Sequence, residues 1–267
     1  MRYSNLHTHT TFSDGAHSPE ENVKSALEKN MISIGFSDHS YTYEDSSYCM
    51  KKSSYPEYLK QIRELKEKYK DSIKIFSGLE LDYYSGTDHI SDFDYVIASV
   101  HYIIKDGICY PIDHTPEQQK TCIQNAFDGD IYAMVQCYFD LLCEHVERCN
   151  PALVGHFDVI TKFSLMPEDD ERYRQIAAHA LKRIIRTCPY IEVNTGAVSR
   201  GWRTEPYPSH YLFRTILEAG GKLVLSSDSH NRDNLIYAFD ETVEMLKRIG
   251  FDRIYAFNGT GFEPNLI

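Results

Sequence analysis

The sequence predicts a parallel α/β barrel. Short apolar runs alternate with amphipathic helical stretches along all 267 residues, the signature of repeated βαβ units. Nearly every apolar run is followed at once by His, Asp or Glu, and α/β barrels carry their active sites at the C-terminal ends of their strands. The length fits as well, because a closed barrel of roughly 200–250 residues is an ordinary single domain.

Taken in order, Tyr3 to His9 reads as a strand ending in His7-Thr8-His9. Side chains two apart on an extended chain share a face, so both imidazoles can reach one space. Asp14-Gly15 is a turn pair, and Ser18-Pro19-Glu20-Glu21 supplies an N-cap, a Pro at the first helical position and acids in the first turn. A helix over Pro19 to Lys29 follows, then a strand from Ile32 to Phe36 that ends in Ser37-Asp38-His39. Tyr41 to Ser54 is a polar loop, and Pro56 to Lys70 has helical spacing through Leu59, Ile62 and Leu65. Strand Ile73 to Phe76 ends in Gly78-Leu79-Glu80, and strand Tyr95 to Val100 ends in His101. Residues 105–150 form an insertion, loop first and then helices around Pro116 to Asp128 and Ile131 to Cys149. Strand Ala152 to Gly155 ends in His156, helix Asp169 to Thr187 follows, and strand Tyr190 to Val193 ends in Asn194-Thr195-Gly196. Helix Ser209 to Ala219 stops at Gly220-Gly221, and strand Lys222 to Leu225 ends in Ser226-Ser227-Asp228-Ser229-His230. Helix Asp233 to Ile249 and a strand-like piece, Arg253 to Phe257, close the chain.

One H-x-H pair is weak evidence for a metal. Six strand ends that carry His7 with His9, His39, Glu80, His101, His156, and Asp228 with His230 are another matter. As core histidines each would need its own buried partner, so a shared metal site is the simpler reading. The donors are imidazoles and carboxylates with no thiolate at a strand end, which suits zinc, manganese or iron. Six histidines and two or three carboxylates exceed the needs of one ion. Two or three divalent ions are expected, with a carboxylate bridging at least one pair.

These motifs in this order, H-x-H, then D-H, G-x-E, S-x-H, G-H and a late S-D-S-H, resemble the polymerase and histidinol phosphatase (PHP) family. The resemblance implies a distorted (β/α)7 TIM-like barrel with a trinuclear metal centre at the C-terminal ends of its strands. It covers almost the whole chain, so residues 1–267 are expected to form a single PHP-type barrel domain with the helical insertion around 105–150. Carried over residue by residue, His7, His9, Glu80 and Asp228 hold one ion, and Glu80, His101 and His156 a second. The third takes His39, His230 and a ligand from the first loop, where Asp14 is favoured over His17. Without a metal, Asp14 would be an Asx-type turn residue and His17 a solvated one.

The segments Gly155-His156-Phe157-Asp158 to Thr161-Lys162-Phe163, Glu192-Val193-Asn194-Thr195-Gly196 to Arg200, and Tyr207-Pro208-Ser209 resemble the histidinol-phosphate phosphatase branch. That branch implies hydrolysis of L-histidinol phosphate to L-histidinol and phosphate, in histidine biosynthesis, by a hydroxide that bridges the ions. Arg200, with Lys162 or Arg203 in support, would neutralise phosphoryl oxygens. Asn194 and Asp158 complete the expected substrate contacts, Asp158 as a candidate proton donor to the leaving group. Asp228, Glu80, His230 and Arg200 form the expected catalytic set, with Asp228 orienting the nucleophile. His89, His114 and His210 fall in loops that could line the mouth of the site, whereas His145 and His179 fall in helices and read as packing or surface residues. Tyrosines within Tyr41 to Tyr55 could stack on an imidazole-bearing substrate.

Composition narrows the field. A formal net charge of −11, from 39 acidic and 28 basic residues, disfavours a nucleic-acid surface. A small-molecule phosphomonoester is the expected partner. Seven scattered cysteines without a C-x-x-C pair read as reduced core residues, and no apolar run approaches the ~18 residues of a membrane span, so a cytoplasmic protein is expected. The competing readings are another PHP phosphoesterase acting on a diester, nucleotide or phosphotyrosine, a binuclear barrel amidohydrolase, and a non-catalytic metal-dependent module.

Overall fold

The computed structural model describes residues 2–43 and 45–267. In chain order the elements are β1 (Ser4–Asn5), α1 (Pro19–Glu28), β2 (Ser33–Phe36), α2 (Tyr55–Lys68), β3 (Lys74–Asp82) and β4 (Tyr95–Ser99). Next come β5 (Tyr102–Lys105), β6 (Ile108–Pro111), α3 (Pro116–Ala126), α4 (Ile131–Cys149), β7 (Leu153–Val154), α5 (Glu171–Thr187) and β8 (Tyr190–Asn194). The short α6 (Gly196–Ser199), then α7 (His210–Ala219), β9 (Lys222–Ser226), α8 (Phe239–Ile249), β10 (Arg253–Phe257) and β11 (Phe262–Leu266) complete the chain.

Seven parallel strands form one sheet in the order β1-β2-β3-β4-β7-β8-β9. A parallel bridge between Thr8 and Ser229 joins its two edges, through bonds from His9 N to the Ser229 carbonyl (2.9 Å) and from Ser229 N to the His7 carbonyl (3.1 Å). The sheet is therefore a nearly closed seven-stranded barrel, and its seam is made by the two metal-motif segments themselves. Bringing the two edges together in this way shields them from pairing with another chain.

The interior of the barrel's N-terminal end is filled by Leu6, Phe76, Tyr95, Ile97, Leu153, Val224 and Phe257. Tyr95 is the central plug. Its ring occupies the space where Gly35 and Gly78 lack side chains: a Cβ at Gly35 would lie 2.3 Å from the Tyr95 hydroxyl oxygen, and one at Gly78 2.2 Å from the ring. The hydroxyl donates to the Leu6 carbonyl and so ties the plug to the strand that carries His7. The larger apolar core lies outside the barrel, between strands and helices.

Helix α1 starts as its capping residues require: the Ser18 hydroxyl accepts from Glu21 N, and the Glu21 carboxylate accepts from Ser18 N at 2.9 Å. The structure departs from the expectations in three places. The insertion opens with a β5–β6 hairpin rather than loop, turning at Asp106-Gly107 with φ of 54° and 76°, the pair of positive values that a tight two-residue turn requires. The last helix begins at Phe239, not Asp233, because Asn5 Nδ2 and the Ser227 hydroxyl both take the Leu235 carbonyl and Ala238 adopts φ 57°. The strand at Arg253–Phe257 pairs antiparallel with β11 outside the barrel, where Phe257 packs on Phe76 (ring centroids 5.1 Å) and covers the barrel's N-terminal end. No helix among the described residues is long and apolar enough to cross a membrane.

The close fit around Tyr95 makes a test. Gly78→Ala, whose new methyl meets the ring, should destabilise the fold by roughly 1–3 kcal/mol in urea titrations. A double-mutant cycle with Tyr95→Phe should show favourable coupling for Gly35→Ala, which clashes with the hydroxyl, and little for Gly78→Ala.

Candidate metal centre

Six of the seven barrel strands, all but β8, deliver a donor to one pocket at the C-terminal end of the barrel. Glu80, near the end of β3, is the hub and is buried. Its Oε2 lies 2.9 Å from His39 Nδ1, 3.2 Å from His7 Nε2 and 3.5 Å from His9 Nε2. Its Oε1 lies 2.9 Å from His156 Nε2 and 3.3 Å from His101 Nε2, and those two nitrogens are 3.4 Å apart. Burial opposes ionisation of Glu80, yet the imidazoles of His39, His7 and His101 outweigh it and hold the carboxyl well below the usual range. Asp228, after β9, accepts from His9 Nε2 at 3.1 Å and sits 3.6 Å from both His7 Nε2 and His230 Nδ1. It keeps φ 46°, a left-handed conformation unusual outside glycine.

The first loop brings in Asp14 rather than His17. Asp14 Oδ2 is 3.2 Å from His230 Nε2 and 3.8 Å from His39 Nε2, and Oδ1 is 3.6 Å from His9 Nδ1. The His17 ring turns away and accepts from Arg232 N at 3.4 Å. Asp38 shapes this loop: its buried carboxylate accepts from Thr10 N (2.8 Å), Ser13 N (3.1 Å) and the Ser13 hydroxyl (2.6 Å). Gly15 is required there, since a Cβ would lie 2.4 Å from the His9 carbonyl carbon.

Four overlapping donor groups result: His9 with Asp14, His39 and His230; His7 with Glu80 and His156; His7 with His9 and Asp228; and His39 with Glu80 and His101. His9 thus also reaches the group expected to hold His39 and His230. The fit to cations is visible in atoms left over. His7 Nε2, His9 Nδ1 and Glu80 Oε2 are buried and have no hydrogen-bond partner among the described residues. Burial and the neighbouring His230 and His39 push the His9 imidazole down to about 3, so it is neutral and ready to donate a lone pair. Crowded imidazoles and carboxylates of this kind are the donor set of divalent transition metals.

The residues that aim these donors escaped the sequence reading. Glu192 of β8 accepts from His7 Nδ1 at 2.7 Å and from His156 N at 2.7 Å, which leaves His7 Nε2 facing the pocket. Asp82 accepts from His101 N (2.9 Å) and lies 3.2 Å from His101 Nδ1, turning Nε2 to Glu80. A charged residue inside an apolar strand, as in Tyr190-Ile191-Glu192-Val193, was the available signal.

A cavity of about 420 Å³ opens over these groups. Arg200 lines it, donating to the Asp228 carboxylate and to the Asp228 carbonyl, both at 3.0 Å. Lys162 lines it too, with its amine on the Asp113 carbonyl at 2.6 Å. The other three expected substrate contacts do not reach the cavity wall. Asn194 is buried, donating to Glu192 (2.8 Å) and accepting from Gly196 N (2.8 Å). Asp158 is buried and accepts from Ser209 N at 2.9 Å. Arg203 is drawn off to the Thr161 carbonyl (3.2 Å), the Ser209 hydroxyl (3.2 Å) and Glu168 (3.5 Å). His114 does line the cavity, beside Tyr48, whereas His145 is a buried helix residue bonded to the Leu81 carbonyl at 2.8 Å.

The PHP domain family model matches residues 5–196, and the chain belongs to that family. A probable histidinol-phosphatase of Deinococcus radiodurans is 28% identical over 276 residues, covering 97% of each chain. A probable histidinol-phosphatase of Schizosaccharomyces pombe is 27% identical over 79% of this chain and 74% of its own. Among solved structures, histidinol phosphate phosphatase from Lactococcus lactis, complexed with zinc, L-histidinol and phosphate, superposes with a TM-score of 0.73 at 22% identity, covering 98% of this chain and 99% of that one. That likeness bears on the fold.

Two outcomes are expected. After reconstitution with zinc, Asp14→Asn should carry less metal per chain by elemental analysis while His17→Ala keeps its full complement; the reverse pattern would reassign the loop ligand. Glu192→Gln should weaken zinc binding about 10–100-fold in chelator competition, with the fold retained by circular dichroism.

Proposed function

We propose that this protein is a metal-dependent phosphomonoesterase that hydrolyses L-histidinol phosphate to L-histidinol and phosphate, a step of histidine biosynthesis. The observation that carries the reading is Glu80 shared among five imidazoles beneath a cavity that also presents Arg200. Relatives named as probable histidinol-phosphatases, one matched over nearly its full length, supply the substrate. The chain acts as one PHP-type barrel domain over 1–267 with an insertion around 105–150, and the reaction is cytoplasmic.

His7, His9, Asp14, His39, Glu80, His101, His156, Asp228 and His230 are the proposed ligands of two or three zinc, manganese or iron ions. Bound there, such ions polarise a phosphoryl group and lower the pKa of water toward neutrality. Arg200 supplies planar, paired donors to the phosphoryl oxygens, a geometry that favours Arg over Lys. Asp228 is held by Arg200 on one oxygen and turned to His9 with the other, so it is placed to orient the attacking water and accept its proton. His230, on the cavity rim between Asp14 and Asp228, closes the catalytic set.

Phosphate release from L-histidinol phosphate, p-nitrophenyl phosphate, its diester and a nucleotide panel, each with zinc, manganese or iron supplied, tests the reading. L-Histidinol phosphate should be turned over with kcat/KM of about 10⁴ M⁻¹s⁻¹ or more and the others far less well. A preference for the diester or a nucleotide would keep the metal site and discard the substrate. His101→Ala should lose most turnover together with bound metal.

A further inference from the structure

The cavity has two walls of different chemistry. One is the donor cluster with Arg200. The other carries Asp45, Tyr48, Asp113 and His114, and among its described residues the only other charged group is Lys162. We propose that Asp113 is the specificity determinant of this site, a carboxylate that binds the ammonium group of an amino-alkyl phosphate; the proposal rests on the substrate reading above.

Three observations support it. Lys162 spends its short hydrogen bond on the Asp113 backbone carbonyl and stands 3.6 Å from Oδ2, so it offsets charge without occupying the carboxylate. Oδ1 is buried with no hydrogen-bond partner among the described residues. Burial opposes ionisation of Asp113, but Lys162, then His101, His114 and His156, outweigh it and hold the group below the usual carboxylate range. An ionised carboxylate with one oxygen sealed off and undonated is costly, and an ammonium group arriving at the part of the side chain that lines the cavity relieves that cost.

The covalent structure of the substrate agrees. In L-histidinol phosphate the ammonium-bearing carbon is joined to the CH2 of the ester, so the cation lies beside the phosphoryl group, close to His101 and His156. The imidazole projects toward Tyr48 and His114, which stand edge to face with centroids 5.6 Å apart, Tyr48 also packing on His39 at 4.8 Å. A carboxylate brace for Lys162 alone would not distinguish substrates.

The test compares L-histidinol phosphate with its desamino analogue, 3-(imidazol-4-yl)propyl phosphate, on the zinc-loaded enzyme. The ratio of the two kcat/KM values should fall about 30-fold or more in Asp113→Asn, as expected for loss of a charge-assisted hydrogen bond, with the change mainly in KM. Asp113→Ser should lower it similarly. Loss of fold or metal lowers both substrates alike and leaves the ratio at its wild-type value; that result, or no loss at all, overturns the proposal. The wild-type comparison with p-nitrophenyl phosphate separates the two readings: a wild type indifferent to L-histidinol phosphate removes the substrate reading itself, whereas a selective wild type with an unchanged ratio in both variants removes only the role of Asp113.

Discussion

One buried carboxylate constrains everything above it. The Glu80 side chain has no exposure and is surrounded by imidazoles from both sides of the barrel. A lone ionised carboxylate in such a place is strongly disfavoured by desolvation, so the donors must converge on it with good geometry. Five histidines can do so only if β1, β2, β4 and β7 end at the same level as β3, which the parallel registers and the Thr8–Ser229 bridge enforce. Each imidazole also needs its other nitrogen fixed. Glu192 does this for His7 and Asp82 for His101, and both are themselves on strands of the barrel.

The two ends of the barrel divide the labour. At the N-terminal end Tyr95, Phe76 and Phe257 pack an apolar plug that needs no charge. At the C-terminal end buried polar groups crowd together, bonded to one another and with His7 Nε2, His9 Nδ1 and Glu80 Oε2 left over as donors for cations. Conserving the first while altering the second is how barrels change chemistry without changing fold. Here the two are linked through short strands: Leu6, whose carbonyl receives the Tyr95 hydroxyl, is the residue before His7.

The sequence made the barrel legible because its evidence is local: a short apolar run and the polar residue that ends it lie together in the chain. The donors were legible for the same reason. What escaped depends on distant partners. Glu192 acts on a histidine 185 residues away, and nothing within its own strand says so beyond a charge among apolar neighbours. The β5–β6 hairpin did carry a local signal, the Asp106-Gly107 turn pair between the apolar runs Tyr102 to Ile104 and Ile108 to Tyr110, but it follows directly on His101, where the barrel strand had already ended. Asp158 and Arg203 stand near motif residues in sequence, yet the chain turns so that Ser209 N takes Asp158 Oδ2, and Thr161 and the Ser209 hydroxyl take the Arg203 guanidinium, away from the cavity.

Asp228 shows how strain and electrostatics combine at the chemical end. A non-glycine residue at φ 46° costs of order 1 kcal/mol or more, and it persists only where its surroundings fix it. Arg200 provides that fixing twice, through the Asp228 carbonyl and its carboxylate. The left-handed turn lets a single side chain face two ways, one oxygen toward His9 and the donor cluster, the other toward the guanidinium on the cavity wall. The donor cluster and the cavity-wall guanidinium are therefore joined through one carboxylate. Arg200 thus does two things at once from the cavity wall: it holds the strained Asp228 backbone through the carbonyl and fixes which carboxylate oxygen is left to face the imidazoles.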